Sequence, residues 1–501
     1  MRLVSLLIAC GLLLGCATAA AAAPGGGSGP RVAVVDCVTG NDQVAARQGC
    51  SMAPGAGHEG SQSSGLDGVV GLTAAAGSLY AVGNANSSVA QLATGRRSLS
   101  FAACFTGDSF VDDCAQIPGA TSNAPDAPIS GPTASALSPD GRSLYVVSGD
   151  FHASVVARFA RDPLSGALTY LDCLTGDEAA GPAGPGACAL IPTATRFGFG
   201  SGLYEPSGIA VAADGRRVYV TAAGDGGLVA FDRDPASGVL SFASCVSSNS
   251  RARGCTRVSR GEGRTVFEGL RSPLISADGK YLYAVAGRAD TAAAFALLGS
   301  EAPRFVNCVT PREDGALCRR GKEPRGPVAA LLNPTGIAAS PDWRFLYVST
   351  AWGRIVSLKR NPGSGEIKAD RCVSSERADR GRCTLLPATP QRSKGTHHAS
   401  LLTGTRTPLI ASRTTVLAPV RTIDGIVRFR RDPNTGALAY RGCASAQLIL
   451  SGARGPCARL PGATRKGVDS GFYKLTALLP APEGLVYAAA SGDATVSLLR
   501  P

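Results

Sequence analysis

Fourteen of the sixteen cysteines fall into seven close pairs: Cys37 with Cys50, Cys104 with Cys114, Cys173 with Cys188, Cys245 with Cys255, Cys308 with Cys318, Cys372 with Cys383, and Cys443 with Cys457. Zinc sites usually place thiolates two to four residues apart with histidine partners, and the four histidines, His58, His152, His397 and His398, lie away from most pairs. Local disulfides in an oxidising compartment are therefore the expected chemistry. Each closes a short loop, for which chain entropy gives about 3 kcal/mol, less where the loop is strained. They are expected to staple loops rather than the structural units between them.

Hydrolytic signatures are absent: the chain has no G-x-S-x-G elbow, no H-E-x-x-H and no phosphate-cradling glycine loop followed by Lys-Ser/Thr. What remains is a histidine with carboxylates and cations. His152, helped by Asp150 or Glu205, has the chemistry of a base that activates water, and Arg288, Arg354 or Arg421 that of electrostatic partners for an oxyanion. These residues are far apart in the chain, so only a fold can gather them. His397-His398 reads as a metal ligand pair or as two solvated residues of a polar loop. Asp108, Asp112 and Asp113 lack the alternation of a calcium loop. No metal and no cofactor is expected.

The positioning elements come from a repeat. Pro206 to Cys245, PSGIAVAADGRRVYVTAAGDGGLVAFDRDPASGVLSFASC, is four short strands. Asp214-Gly215 is a hairpin signal, a second turn follows at 223–226, and Asp234-Pro-Ala-Ser-Gly238 is a third reversal in which proline presets φ and glycine closes the turn. The unit recurs towards Cys104, Cys173, Cys308, Cys372 and Cys443, and the last copy stops at Pro501 after three strands. The missing fourth strand stands at the other end, as Arg31-Val-Ala-Val-Val-Asp-Cys37. The expected architecture is an all-β, seven-bladed β-propeller over 31–501, closed by the N-terminal strand completing the last blade. A string of separate β-sandwiches explains neither orphan.

SPDGRSLYVVSGD, ADGRRVYVTAAGD and SPDWRFLYVSTAW, each followed by a V-x-x-F-like strand and D/N-P-x-S/T-G-x-L, resemble the YVTN-type repeats of the lactonase-like seven-bladed propeller family. The resemblance covers nearly all of the mature chain and specifies fold better than function. It implies either a lactone hydrolase, as in 6-phosphogluconolactonases and muconate-lactonising enzymes, or an exported protein of another role. A Cys pair per blade and an export signal set this chain apart from those enzymes.

In a propeller, loops between the second and third strands share one face with the connections from blade to blade. This gathers Asn84 and Asn86, Asp150 and His152, Asp225, Arg288 and Asp290, Trp352 and Arg354, Arg421 and Asp424, and Asp493 at the channel mouth. They are candidates for a lactone-opening site or a binding site, and the aspartates and asparagines are equally the residues that turns prefer. The Cys-bearing segments are expected to crown the same rim. Their charge is uneven: Asp108, Asp112, Asp113, Asp126, Asp177, Glu178 and Glu205 come early. Arg251, Arg253, Arg257, Arg271, Arg319, Arg320, Arg380, Arg382 and Arg459 come late. That pattern predicts an acidic and a basic sector, the latter steering an anionic ligand, although exposed charge also serves solubility.

Met1-Arg2 and the apolar run Leu3 to Leu14 form an export signal, and Leu13-Leu14-Gly15-Cys16 resembles a lipobox with Cys16 lipidated; ordinary cleavage within Ala17 to Ala23 is the alternative. The reading is 1–16 signal, 17–30 a flexible Ala/Gly/Pro tether, then the propeller. The expected function is an exported, monomeric binding or scaffold module, its membrane contact limited to a lipid anchor. Its partner would be a cell-envelope polymer, glycan or protein, and the alternative is a lactonase-like hydrolase. The net charge of +13 does not imply nucleic acid, because aromatic residues make up only 6% and no stacking platform is visible.

Overall fold

The computed structural model describes residues 32–58, 64–122, 127–149, 154–180, 188–252, 254–258, 265–299, 301–311, 317–320, 326–387, 401–405, 408–451 and 456–501. Seven five-stranded sheets form the blades of a propeller. Blade 3 follows the sequence pattern closely, with strands Pro206–Val211, Arg217–Ala222, Gly227–Arg233 and Leu240–Ser247 paired antiparallel in that order. The turns form for local reasons. Gly215 takes φ 68° while the Asp214 carboxylate accepts the Arg216 amide at 3.0 Å. The Asp234 carboxylate accepts the amides of Ala236 and Ser237, and Gly238 returns the chain at φ 74°.

The ring closes as expected: Ala33–Asn41 pairs antiparallel with Thr495–Arg500, so blade 7 takes its fourth strand from the other end of the chain. Blades 1 to 6 begin their innermost strands at Val69, Pro132, Pro206, Leu270, Pro334 and Ile410, and blade 7 at Leu475. Hydroxyls bind neighbouring innermost strands together near the axis. Thr133 donates to the Pro206 carbonyl at 2.8 Å, Ser207 to Leu270, Thr335 to Thr405 and Thr476 to Val69.

All seven expected disulfides are present. Cys104 is bonded to Cys114 in blade 1, Cys173 to Cys188 in blade 2, Cys245 to Cys255 in blade 3 and Cys308 to Cys318 in blade 4. Cys372 is bonded to Cys383 in blade 5, Cys443 to Cys457 in blade 6 and Cys37 to Cys50 in blade 7. Their placement corrects the expectation that Cys50, Cys114, Cys188, Cys255, Cys318, Cys383 and Cys457 close loops of a stapled crown. Each of these second cysteines instead stands just before a fifth, outermost strand that runs parallel to the fourth. In blade 1, for example, Ala115–Thr121 lies beside Leu99–Asp108, with Phe105 opposite Ala115. Each disulfide therefore ties strand four to strand five inside the blade, and only a short excursion separates them. In blade 7 that excursion is one helix, α1 (Asp42–Gln48), capped by Asn41, whose side chain accepts the Gln43 and Val44 amides. Among the described residues no helix is long and apolar enough to cross a membrane.

The core lies between blades. Tyr145, Val147 and Val156 of blade 2 pack on Val218, Val220 and Phe231 of blade 3. Four junctions share a polar clasp on the face of the tight turns. A tyrosine in strand two of one blade donates its hydroxyl to a glycine carbonyl in the next blade's last turn, and accepts from an arginine Nε at the end of that blade's third strand. Tyr145 bonds Gly238 O at 2.6 Å and Arg233 Nε at 2.8 Å, and Tyr80 with Arg161, Tyr283 with Arg360 and Tyr347 with Arg431 repeat it. Arg233 is 1% exposed and also meets Asp140 at 2.7 Å. Burial alone would raise the Asp140 carboxyl, but hydrogen bonds from Ser138 and the Arg142 amide, with the Arg233 guanidinium, hold it below its ordinary value. Tyr145→Phe leaves Arg233 Nε and the Gly238 carbonyl without their shared partner in a buried place. The expected loss is about 1–3 kcal/mol in equilibrium denaturation, with the oxidised fold retained.

Candidate functional site

The blade-to-blade linkers and the loops between strands two and three meet on the face opposite the tight turns, at the channel mouth. Six innermost strands are entered directly through a left-handed residue, Gly68, Gly131, Glu205, Gly269, Asn333 and Lys474, and Gly404 stands six residues before that of blade 6, with φ between 46° and 80°. Three of these carry side chains, at a strain cost of about 1–3 kcal/mol each. Two of the three engage an opposite charge on the next blade. Glu205 pairs with Arg288 at 3.2 Å. Lys474 acts on Asp67, whose carboxyl burial pushes up to about 6 against the Gly68 amide and the Lys474 charge.

The fold brings Glu205 and Arg288 together and commits the aspartates elsewhere than expected. Asp225 is buried and accepts the amides of Gly200, Gly202 and Tyr204 at 2.9, 2.8 and 3.2 Å. Asp493 does the same for Asp469 and Tyr473. Asp424 takes the Lys474 amide at 2.7 Å and Gln447 Nε2 at 2.8 Å, and Asp290 the Asn333 amide at 2.6 Å. These carboxylates are buried and hold the incoming linkers. The reason is local: a linker turning into an innermost strand leaves several amides without strand partners, and a carboxylate in the adjoining loop satisfies them.

Arg354 is likewise committed, at 2.6 Å from the buried Asp379. Arg421 is half-buried in a short 3-10 turn beside Asp424. Asn84 is exposed, as is Trp352 at 58%. Of the basic residues expected around the rim, Arg257 lies on the outermost strand of blade 3, and Arg380 and Arg382 lie between strands four and five of blade 5. Arg319–Arg320 form the outermost strand of blade 4. These five positions thus sit on the circumference, on or just before the fifth strands, whereas Arg271 lies on the innermost strand of blade 4. Asp150, His152, Arg253, Cys16, His397 and His398 lie outside the described residues. Among the described residues no group of three or more His, Cys, Asp or Glu could hold a metal ion.

The linker between blades 2 and 3 supplies what the sequence reading missed. Thr195-Arg-Phe-Gly-Phe-Gly-Ser-Gly-Leu-Tyr-Glu205 has a twin in Thr464-Arg-Lys-Gly-Val-Asp-Ser-Gly-Phe-Tyr-Lys474, between blades 6 and 7. The two share a fold: Thr195 bonds Phe199 O as Thr464 bonds Val468 O, and Asp225 and Asp493 hold equivalent amides. Phe197 and Phe199 are 43% and 53% exposed. Phe199 leans on Tyr204 at 4.1 Å between ring centres and lines an open cleft of about 710 Å³ with Pro192, Thr193, Ser250 and Arg251. The internal repetition of this eleven-residue linker is the signal that marks it.

No family model matches the chain, and no curated protein sequence matches it. Solved structures do. A putative 6-phosphogluconolactonase from Bacteroides fragilis is 14% identical with a TM-score of 0.46, over 74% of this chain and 82% of that one. The periplasmic gluconolactonase of Pseudomonas aeruginosa is 16% identical with a TM-score of 0.46, over 75% and 84%. Hydrazine synthase of Kuenenia stuttgartiensis is 12% identical with a TM-score of 0.46, over 87% and 96%. The assignment as a propeller rests on the seven closed sheets themselves.

The linker-holding carboxylates predict a pH signature. Burial, reinforced by the Asp493 charge, pushes Asp424 from about 3.8 up to about 6. Between those values the folded chain binds a proton that the unfolded chain has released, so this contribution to stability is complete below about 3.8 and lost as pH rises through about 6. Asp424→Asn removes that dependence. The melting temperature of the variant relative to wild type is expected to climb between about pH 4 and 6 and then level off, measured by thermal denaturation across buffers.

Proposed function

We propose that the chain is an extracytoplasmic binding module, exported and held at the cell envelope through Cys16, that engages an envelope polymer with the linker face of its propeller. Seven disulfides support the compartment. The observation that carries the binding role is the division of labour on the linker face. Asp225, Asp424 and Asp493 are spent on backbone amides, while large apolar side chains, Phe110, Phe197, Phe199 and Trp352, stand 43–65% exposed. Exposed aromatic rings on a rigid surface are features of interaction sites. The cleft beside Phe199 is open, which suits a polymer laid across the surface better than a small substrate needing enclosure.

The second reading, a lactonase-like hydrolase at the channel mouth, draws support from Glu205 and Arg288, which stand there 3.2 Å apart. In that reading His152 is the base. The two readings separate in one pair of measurements on the purified, oxidised protein. Screening against a panel of lactones is expected to show no turnover; turnover abolished by His152→Ala would establish the hydrolase instead. Co-sedimentation with envelope polysaccharide is expected to retain the protein, with affinity falling several-fold as ionic strength rises towards about 0.15 M. Retention that ignores salt would refute the anionic character of the ligand.

A further inference from the structure

We propose that the linker from Arg196 to Glu205 is a glycan-binding shelf that stacks one sugar ring of an acidic polysaccharide on Phe199 and meets its carboxylates with Arg196 and Arg251. This rests on the binding-module reading and gives it a place and a ligand class.

The shelf is built at a cost. Phe197 sits at φ 65°, in the region that favours glycine, and its amide is held at 2.8 Å by the buried carboxylate of Asp177. Gly198, Gly200 and Gly202 follow at φ 73°, 83° and 87°, with Asp225 gripping the last two amides and that of Tyr204. Two buried carboxylates and a run of left-handed residues therefore hold two phenylalanine rings in water. Folding alone does not ask for this. The twin linker keeps the threonine bond and the buried-carboxylate grip with Lys466 and Val468 at the corresponding positions, and Lys466 is not left-handed, so the strained Phe197 belongs to the ring-bearing copy and this part of the frame forms without the rings. The rings are an addition to it.

The chemistry of the surroundings selects the ligand. One face of Phe199 is backed by Tyr204 while the ring also borders the open cleft. A pyranose offers a flat C–H face to such a ring and points its hydroxyls sideways, where Thr193 and Ser250 line the cleft. Because the cleft is open, neighbouring sugars of a chain can continue past it. The charges nearby favour an acid: Arg196 lies 5.0 Å over the Phe197 ring, exposed Arg251 borders the cleft, and the Glu205 carboxylate is already engaged by Arg288. Guanidinium groups meet sugar carboxylates in paired hydrogen bonds.

The test uses the full, oxidised chain in affinity gel electrophoresis, with polygalacturonate as the acidic polymer and dextran as the neutral one. Wild type is expected to be retarded by polygalacturonate and not by dextran. Phe199→Ala is expected to weaken retardation about tenfold, Phe199→Trp to restore it, and Arg251→Gln to weaken it, while Val468→Ala on the twin linker leaves it unchanged. Thermal melts of every variant verify the fold. Retardation of wild type that survives both Phe199→Ala and Arg251→Gln overturns the shelf and leaves the binding module standing. Equal retardation by dextran overturns the acidic ligand. No retardation by either polymer overturns the shelf, and the module reading then stands or falls with the envelope co-sedimentation.

Discussion

A tyrosine hydroxyl shared between an arginine and a glycine carbonyl is the contact on which the ring turns. Tyr80, Tyr145, Tyr283 and Tyr347 each receive Arg Nε from the next blade and donate to its turn glycine. The arrangement ties the second strand of one blade to the third strand and last turn of the next, which fixes how far the two sheets are rotated. It also explains why the Y-V and R-D-P-x-S/T-G elements travel together in the repeat: each is half of a bond made with the neighbouring copy. Three junctions lack the arginine, with Leu297, Thr94 and Pro501 in its place. Two of these, between blades 3 and 4 and between 7 and 1, are where Glu205–Arg288 and Lys474–Asp67 span the opposite face. Between blades 3 and 4 an ion pair on the linker face stands where the clasp is missing.

The inner four strands of each blade were legible because hairpins announce themselves. Asp-Gly and Asp-Pro-x-x-Gly fix the turns locally, and the alternation of Arg217–Ala222 or Gly227–Arg233 needs no distant partner to be recognised. The fifth strand was not, since a parallel strand has no connecting hairpin and this one contains breakers. Cys114-Ala-Gln-Ile-Pro-Gly-Ala-Thr121 and Cys457-Ala-Arg-Leu-Pro-Gly-Ala-Thr464 read as loops. In the fold Ile117 and Leu460 are buried, and the proline that follows each lies exposed on the strand at the sheet edge. Proline there denies a further strand its hydrogen bonds, so the segment that looks least like a strand is what protects the open edges of blades 1, 2, 6 and 7, while those of blades 3, 4 and 5 are only two residues long.

The candidate site was legible only in part for a related reason. A turn aspartate looks the same in sequence whether it faces a channel or holds backbone. What decides is how many unpaired amides the adjoining linker brings, and that depends on a blade distant in sequence: Lys474 meets Asp424 fifty residues away. Glu205 and Arg288 were identifiable because both are long and charged and flank the same junction. Phe197 and Phe199 escaped notice because aromatic residues between glycines read as core, and only the left-handed backbone turns them out to solvent.

The strand that closes the ring also decides which way the molecule looks. Ala33 pairs with Arg500 at the tight-turn face, and the strand climbs from there to Thr39 beside Thr495 at the linker face. The chain preceding Ala33 therefore departs from the tight-turn side. Val32 thus leaves on the face away from Phe199 and Trp352.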